Sequence, residues 1–206
     1  MLDHVVYAVP ALEAAQDDLE ARLGVRPSYG GPHPGRGSHN ALLDLGRGAY
    51  LEVIAPDPSQ PDPGRARPFG LDKLTAARLV HWAAKASDLE ARVAAAKESG
   101  FDPGAVEPLS RSRPDGQLLE WRLTVRRGPP GGDGLVPFLI DWGGAAHPAE
   151  TAAHGCTIVE LHGEHPDPPS IRRLLAALGV DLEVVAAERA ALVVTIEGPK
   201  GRIELR

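Results

Sequence analysis

Two histidines and two glutamates recur at matching positions of the chain. Aligning "LDHVVYAVPALEA" with "LVHWAAKASDLEA" places His4 on His81, and aligning "GAYLEVI" with "GQLLEWR" places Glu52 on Glu120. Neutral imidazole and carboxylate groups are ligands of Zn, Ni, Co, Mn and Fe(II). If the two repeats pack about a pseudo-twofold axis, these four side chains converge. The repetition therefore predicts a divalent metal site with one histidine and one glutamate from each repeat.

The elements that must position these residues also repeat. A β-like run is followed by a helical pattern three times along the chain, and the runs are "LDHVVYAV", "LVHWAAKA" and "CTIVELH". Short apolar runs typical of strands follow each helix. The third unit carries no matching histidine, and its Glu204 is offset by one residue, which would turn it to the opposite face of its strand. The pattern predicts an α+β fold in which repeated βαβββ modules form a curved mixed sheet or cup.

Proline-rich and glycine-rich segments divide the chain. We expect a first βαβββ module at 1–58, a linker at 59–78 and a second βαβββ module at 79–142. A second linker at 143–155 then leads to a third, ligand-poor βαβββ-like module at 156–206. All of these parts are expected to pack as one globular unit.

Composition narrows the classes of partner. The 206 residues are 43% hydrophobic and 24% charged, which is typical of a globular protein. A formal net charge of −6 disfavours nucleic acid, and no apolar run approaches the ~18 residues of a membrane span. The opening "MLDHVVYAV" lacks the features of a signal peptide, and one cysteine, Cys156, cannot form an intramolecular disulfide. We expect a cytoplasmic protein whose partner is a small molecule.

Several polar residues are candidates for contacts with a substrate. His33, His39 and Asn40 lie in a Gly/Pro-rich loop, and His33 is the weaker candidate of the three. Turn chemistry is the alternative explanation for all three. Arg111, Arg113 and Trp121 would suit an anionic, partly flat molecule, although solvated arginines and a core tryptophan would have the same residue types.

The stretch "GGPHPGRGSHNALLDLGRGAYLEVIAPDP", from Gly30 to Pro58, is similar to a segment of the bacterial glyoxalase-like domain family. That family is part of the vicinal-oxygen-chelate superfamily, whose members pair βαβββ modules around a metal cup. The resemblance implies first-module ligands at His4 and Glu52, and second-module ligands at His81 and Glu120. If "PFLID" is the last strand of the second module, Asp141 replaces Glu120 as the acidic residue of the site.

The resemblance also implies a function. We expect a metal-dependent lyase or isomerase that acts on a small molecule with neighbouring oxygens, with Glu52 or Glu120 moving a proton beside a carbonyl. One alternative is an Fe(II) ring-cleaving dioxygenase whose iron is held by His4, His81 and one glutamate. Another is a metal-free protein that binds or sequesters a small molecule. The third module would either complete the cup or form a homodimer contact.

Overall fold

Three successive βαβββ units make up the chain. The computed structural model describes residues 1–112, 116 and 118–206. The first unit contains β1 (Leu2–Ala8), α1 (Leu12–Leu23), β2 (Ser28–His33), β3 (Ser38–Asp44) and β4 (Tyr50–Pro56). The second unit contains β5 (Arg78–Lys85), α2 (Leu89–Glu98), β6 (Ala105–Ser112), β7 (Leu118–Val125) and β8 (Phe138–Asp141). The third unit contains β9 (Thr157–His165), α3 (Pro168–Leu178), β10 (Glu183–Ala186), β11 (Ala191–Gly198) and β12 (Gly201–Leu205).

The first two units form one sheet with internal symmetry. Its strand order is β2-β3-β4-β1-β5-β8-β7-β6, so each unit supplies four strands in mirrored sequence. The first strand of each unit pairs in parallel with the last one, as β1 with β4 and β5 with β8, and the two first strands pair antiparallel. The edge strands meet, because Arg111 on β6 donates a hydrogen bond to the carbonyl oxygen of Gly30 on β2. The sheet is therefore curled, which confirms the predicted α+β fold with a cup.

Alternating residues of the central strands pack on opposite faces of this sheet. Val5, Tyr7 and Val9 belong to the main core, whereas Val6 and Ala8 belong to a separate apolar cluster on the concave face. Burial on both faces explains why β1 is an almost continuous apolar run in the sequence.

Helix α1 covers the outer face of the sheet as its apolar spacing predicts. Leu12, Leu19 and Leu23 are buried, and all three belong to the main core. Gly24 follows with φ of 85°, a left-handed conformation that ends the helix at little steric cost. In the third unit, Asp167 caps the N-terminus of α3, because its side chain accepts a hydrogen bond from the backbone N–H of Ser170.

The third unit keeps the order of elements but not the order of strands. It forms its own sheet, β10-β9-β11-β12, in which β9 pairs in parallel with β10 and antiparallel with β11. In the other two units the first strand pairs with the last strand instead. Side chains of this unit, among them Leu175 and Val194, share the main core with the outer face of the large sheet. In the part of the chain that is described, no helix has the length and apolar character needed to cross a membrane.

Candidate functional site

The concave face of the large sheet encloses a cavity of about 780 Å³. We call this cavity the cup. The polar and aromatic side chains that line its sheet face include His4, Tyr50, Glu52, His81, Trp121 and Phe138. A 3-10 turn at Pro68–Lys73 adds Phe69 to the lining.

A buried carboxylate holds His4 in place. Asp3 is fully buried, and its Oδ1 accepts a hydrogen bond from His4 Nδ1 at 2.7 Å. Its Oδ2 accepts from His147 Nε2 at 3.0 Å and from Trp142 Nε1 at 3.0 Å. Burial alone would raise the pKa of Asp3, but hydrogen bonds from His147 and His4 outweigh it and hold this pKa well below the usual range. An ionised Asp3 accepts a hydrogen from His4 Nδ1, so that Nε2 is the nitrogen on the side of Glu52.

One oxygen of Glu52 is fixed and the other is on the side of His4. Asn40 Nδ2 donates a hydrogen bond of 2.6 Å to Glu52 Oε1, and His33 Nε2 lies 3.8 Å from the same oxygen. Glu52 Oε2 lies 3.8 Å from His4 Nε2, which is too long for a hydrogen bond. The ring of Tyr50 stacks on that of His4, with centroids 4.7 Å apart. The pair of Glu52 and His4 thus borders the cup without a direct bond between them.

Gly30 leaves the space that Asn40 occupies. Its backbone conformation does not require glycine, but a Cβ at this position would overlap with Asn40 Oδ1. We expect Gly30→Ala to destabilise the protein by about 1–3 kcal/mol, because either Asn40 or the strand must move. Urea unfolding measures this change. Gly144→Ala is the matched control, because a Cβ there meets nothing within 4 Å; equal stability of the two variants would contradict the steric explanation.

The second histidine of the repeat also lines the cup. His81 Nδ1 accepts a hydrogen bond from the backbone N–H of Trp82 at 3.0 Å, and its ring lies 5.3 Å from that of Phe138. Burial outweighs the hydrogen bond with the backbone of Trp82 and, together with nearby His4, lowers the pKa of His81 to about 4. Burial has the same effect on His33, whose pKa is also about 4. Both imidazoles are therefore neutral near pH 7.

These two depressed pKa values predict acid sensitivity. An unfolded histidine titrates near pH 6.5, so between about pH 6.5 and about pH 4 the unfolded chain binds protons that the folded chain does not. We expect the free energy of unfolding to fall as the pH falls through this window, by up to about 1.4 kcal/mol per pH unit for each histidine. Urea titrations across the window would show a shallower slope for His81→Asn. His154→Asn is the control, since hydrogen bonding to Asp44 raises the pKa of that exposed histidine; an unchanged slope for His81→Asn would contradict the assignment.

The predicted acidic residues of the second module do not reach the cup. Glu120 is exposed on β7 and points away from the face that carries Trp121 and Leu123. The prediction that Glu120 is a metal ligand and catalytic residue is therefore corrected, because β7 is the third strand of its module and not the last. Asp141 lies on the last strand, but it accepts hydrogen bonds from Arg122 and the backbone N–H of Gly143 instead of lining the cup.

Some of the residues predicted to contact a substrate line the cup, and others do not. Asn40, Arg111 and Trp121 line the cup, and their contact with a substrate stays a prediction. His39 does not line it, because successive strand residues alternate and its Nδ1 instead lies 4.0 Å from Asp57 Oδ1. Arg113 lies outside the described residues.

Two residues of the site, His33 and Asp3, are not prominent as candidates in the sequence. His33, the weaker candidate of its turn, lines the cup where His39 does not. Asp3 directly precedes a repeated histidine, but its other partners, His147 and Trp142, lie far along the chain. The carboxylate that directly precedes a strand histidine is the one local feature of the sequence that indicates this network.

The donor set does not fit the implied metal ion. Among residues 1–112, 116 and 118–206, no three histidine, cysteine, aspartate or glutamate side chains form a group that could hold a metal. Glu120 is turned away, and the ring of Phe138 lies against both His4 and His81. The protein's own side chains are therefore the groups that can act on a molecule bound in the cup.

A solved protein structure has a fold similar to this one. A solved structure of a hypothetical protein from Staphylococcus aureus is 13% identical, covers 98% of this chain and 84% of its own, and has a TM-score of 0.65, which establishes similarity of fold alone. Methylmalonyl-CoA epimerase from Mycobacterium tuberculosis is 22% identical, over 68% of this chain and 84% of its own, with a TM-score of 0.43. That from Streptomyces coelicolor in complex with 2-nitronate-propionyl-CoA is 21% identical, over 68% and 94%, with a TM-score of 0.44. The comparison with curated proteins gives no significant match.

A family model supplies the assignment. The model described as a glyoxalase-like domain matches residues 2–179, which include both modules of the cup and the start of the third unit through α3. The chain therefore belongs to the glyoxalase-like domain family, as the segment from Gly30 to Pro58 indicates.

Proposed function

We propose that this protein is a lyase or isomerase that moves a proton at the carbon beside a carbonyl group of a small oxygenated molecule. The observation that carries the proposal is the placement of Glu52. Asn40 fixes Oε1, and Oε2 borders the cup 3.8 Å from His4 Nε2. A carboxylate held in this way can remove a proton from a molecule bound above it.

The groups around Glu52 support this chemistry. Removal of the proton by Glu52 leaves the electron pair on the substrate as an enolate, whose negative charge develops on the carbonyl oxygen. The buried guanidinium of Arg111 lines the same cup and can stabilise that charge. Glu52 can return the proton that it removed to the enolate, while His4, oriented by Asp3, presents Nε2 beside Glu52 as a hydrogen-bond acceptor.

A metal-dependent form of the same reaction follows from the family. His4, Glu52 and His81 would be the residues available to such an ion, but their described arrangement does not provide a three-ligand group. For the same reason we do not propose the Fe(II) dioxygenase. Proton transfer between protein groups and substrate contributes roughly 10²–10⁴-fold without a metal, so the proposal does not depend on one.

The proposal is tested by proton exchange in D₂O. Purified protein is incubated with small dicarbonyls, 2-hydroxy ketones and 2-substituted thioesters, and ¹H NMR follows the signal of the proton beside each carbonyl. We expect this signal to disappear faster than in the absence of protein for at least one compound, and Glu52→Gln to abolish the acceleration. No acceleration with any compound, or acceleration that persists in Glu52→Gln, would overturn the proposal.

A second candidate function is metal-free binding of a small molecule without a reaction. The aromatic lining favours it, since Phe69, Phe138 and Trp121 give the cup a large apolar surface. The same NMR samples distinguish the two functions. Ligand signals that broaden in the presence of protein while the proton beside the carbonyl persists would identify a binding protein.

A further inference from the structure

The position that corresponds to Glu52 in the second module is occupied by Phe138. In the first module Val6, two residues after His4, pairs with Glu52 in the parallel ladder between β1 and β4. In the second module Ala83, two residues after His81, pairs with Phe138 in the parallel ladder between β5 and β8. The internal repeat of the chain therefore makes Phe138 the structural counterpart of Glu52.

The side chain of Phe138 points to where a carboxylate would have to be. Its ring centroid lies 5.5 Å from that of His4 and 5.3 Å from that of His81. It packs with the apolar cluster of the concave face, which includes Val6 and Ile54. Position 138 is thus directed at both repeated histidines, but it contributes a neutral ring to the floor of the cup.

Each of the three remaining donor side chains has one atom held by a neighbour, so its other atom, Nε2 of a histidine or Oε2 of Glu52, is the one that can meet a ligand in the cup. His4 donates to Asp3, Glu52 accepts from Asn40, and His81 Nδ1 accepts from the backbone N–H of Trp82. A cation among them would meet the ring of Phe138 in place of a second negative charge. We infer that the phenylalanine at position 138 makes this cup a metal-independent site, and that Phe138→Glu alone creates a site for a divalent cation with two histidines and two glutamates.

The experiment measures metal content and does not use catalysis. Protein without a histidine tag is loaded with Zn²⁺, Ni²⁺ or Co²⁺, dialysed, and analysed by elemental mass spectrometry, and the visible absorption of Co²⁺ reports its coordination. We expect the wild type to retain no more metal than the His4→Ala, His81→Ala double variant. Phe138→Glu is expected to retain about one equivalent, and Phe138→Glu combined with His81→Ala to lose it.

Phe138→Gln is the matched control, because it has nearly the shape of the glutamate variant without its charge. Circular dichroism establishes that each variant is folded, and Phe138→His supplies a second ligand-bearing variant if the buried glutamate prevents folding. Wild-type protein that retains one equivalent of metal and loses it in His4→Ala would overturn the inference. Folded Phe138→Glu or Phe138→His that retains no more metal than the wild type would also overturn it. None of these measurements of metal content depends on proton exchange, so they stay valid if the proposed function is wrong.

Discussion

Glutamine in place of Glu52 is expected to slow proton exchange on the responsive compound by roughly 10²–10⁴-fold. The amide keeps the shape of the side chain but cannot take up a proton at neutral pH. Because Asn40 Nδ2 donates to Glu52 Oε1, glutamine can keep this hydrogen bond through its carbonyl oxygen, and the fold should be preserved. The measurement is the exchange rate in D₂O at saturating compound, followed by ¹H NMR.

Glu120→Gln supplies the control for this loss. Glu120 carries the same functional group on an exposed face of β7, outside the cup. Its substitution removes one negative charge from the protein, as Glu52→Gln does, and should leave the exchange rate within about twofold of the wild type because surface charges act weakly at a distance. Equal losses in the two variants would show that net charge, and not the position of Glu52, controls the reaction.

Asp3→Ala is expected to lower the free energy of unfolding by about 3–5 kcal/mol. The carboxylate is fully buried and accepts hydrogen bonds from His4, His147 and Trp142. Removing it leaves three N–H donors without this acceptor in the interior, and unsatisfied buried polar groups are costly. Urea unfolding followed by tryptophan fluorescence gives the difference, and the slope of the transition shows whether unfolding stays cooperative.

An exposed ion pair serves as the reference for Asp3. Asp18 accepts a hydrogen bond from Arg22 one helical turn away, and both side chains are exposed. Asp18→Ala should change stability by no more than about 0.5 kcal/mol, because pairs of this kind contribute little. A similarly small effect of Asp3→Ala would mean that water or relaxed packing satisfies the three donors.

The repeat made half of the site predictable. His4 and His81 sit at a register that the sequence repeats, and they line the concave face together with Glu52, which is the one acidic residue of the predicted pair that reaches it. The same reasoning failed for Glu120, because the similarity of "GQLLEWR" to "GAYLEVI" selects a strand that lies one position too early in the module. Contacts between residues distant in sequence decide which strand pairs in parallel with β5. That strand is β8, which has only four residues and so shows little pattern in the sequence.

The turn before β3 shows a second limit. His33 and His39 lie at the ends of a tight hairpin, and both have the residue type expected of a binding site. In the pairing of β2 with β3, His33 lies opposite Ser38 and Pro32 lies opposite His39, so the two histidines face opposite sides of the sheet. Which of these faces lines the cup depends on contacts with other strands, so the choice between His33 and His39 required the structure.

The hydrogen bonds to Asp3 also set an order of events during synthesis. Residue 3 leaves the ribosome before Trp142 and His147, which follow only after the whole second module has been made. Until then His4 is the one partner of this network available to the carboxylate of Asp3. The charged group therefore has a lower free energy in water than inside the sheet. The first module therefore cannot complete its own interior as it emerges, and a fragment of residues 1–58 would carry a charge at the point where the 206-residue chain buries one.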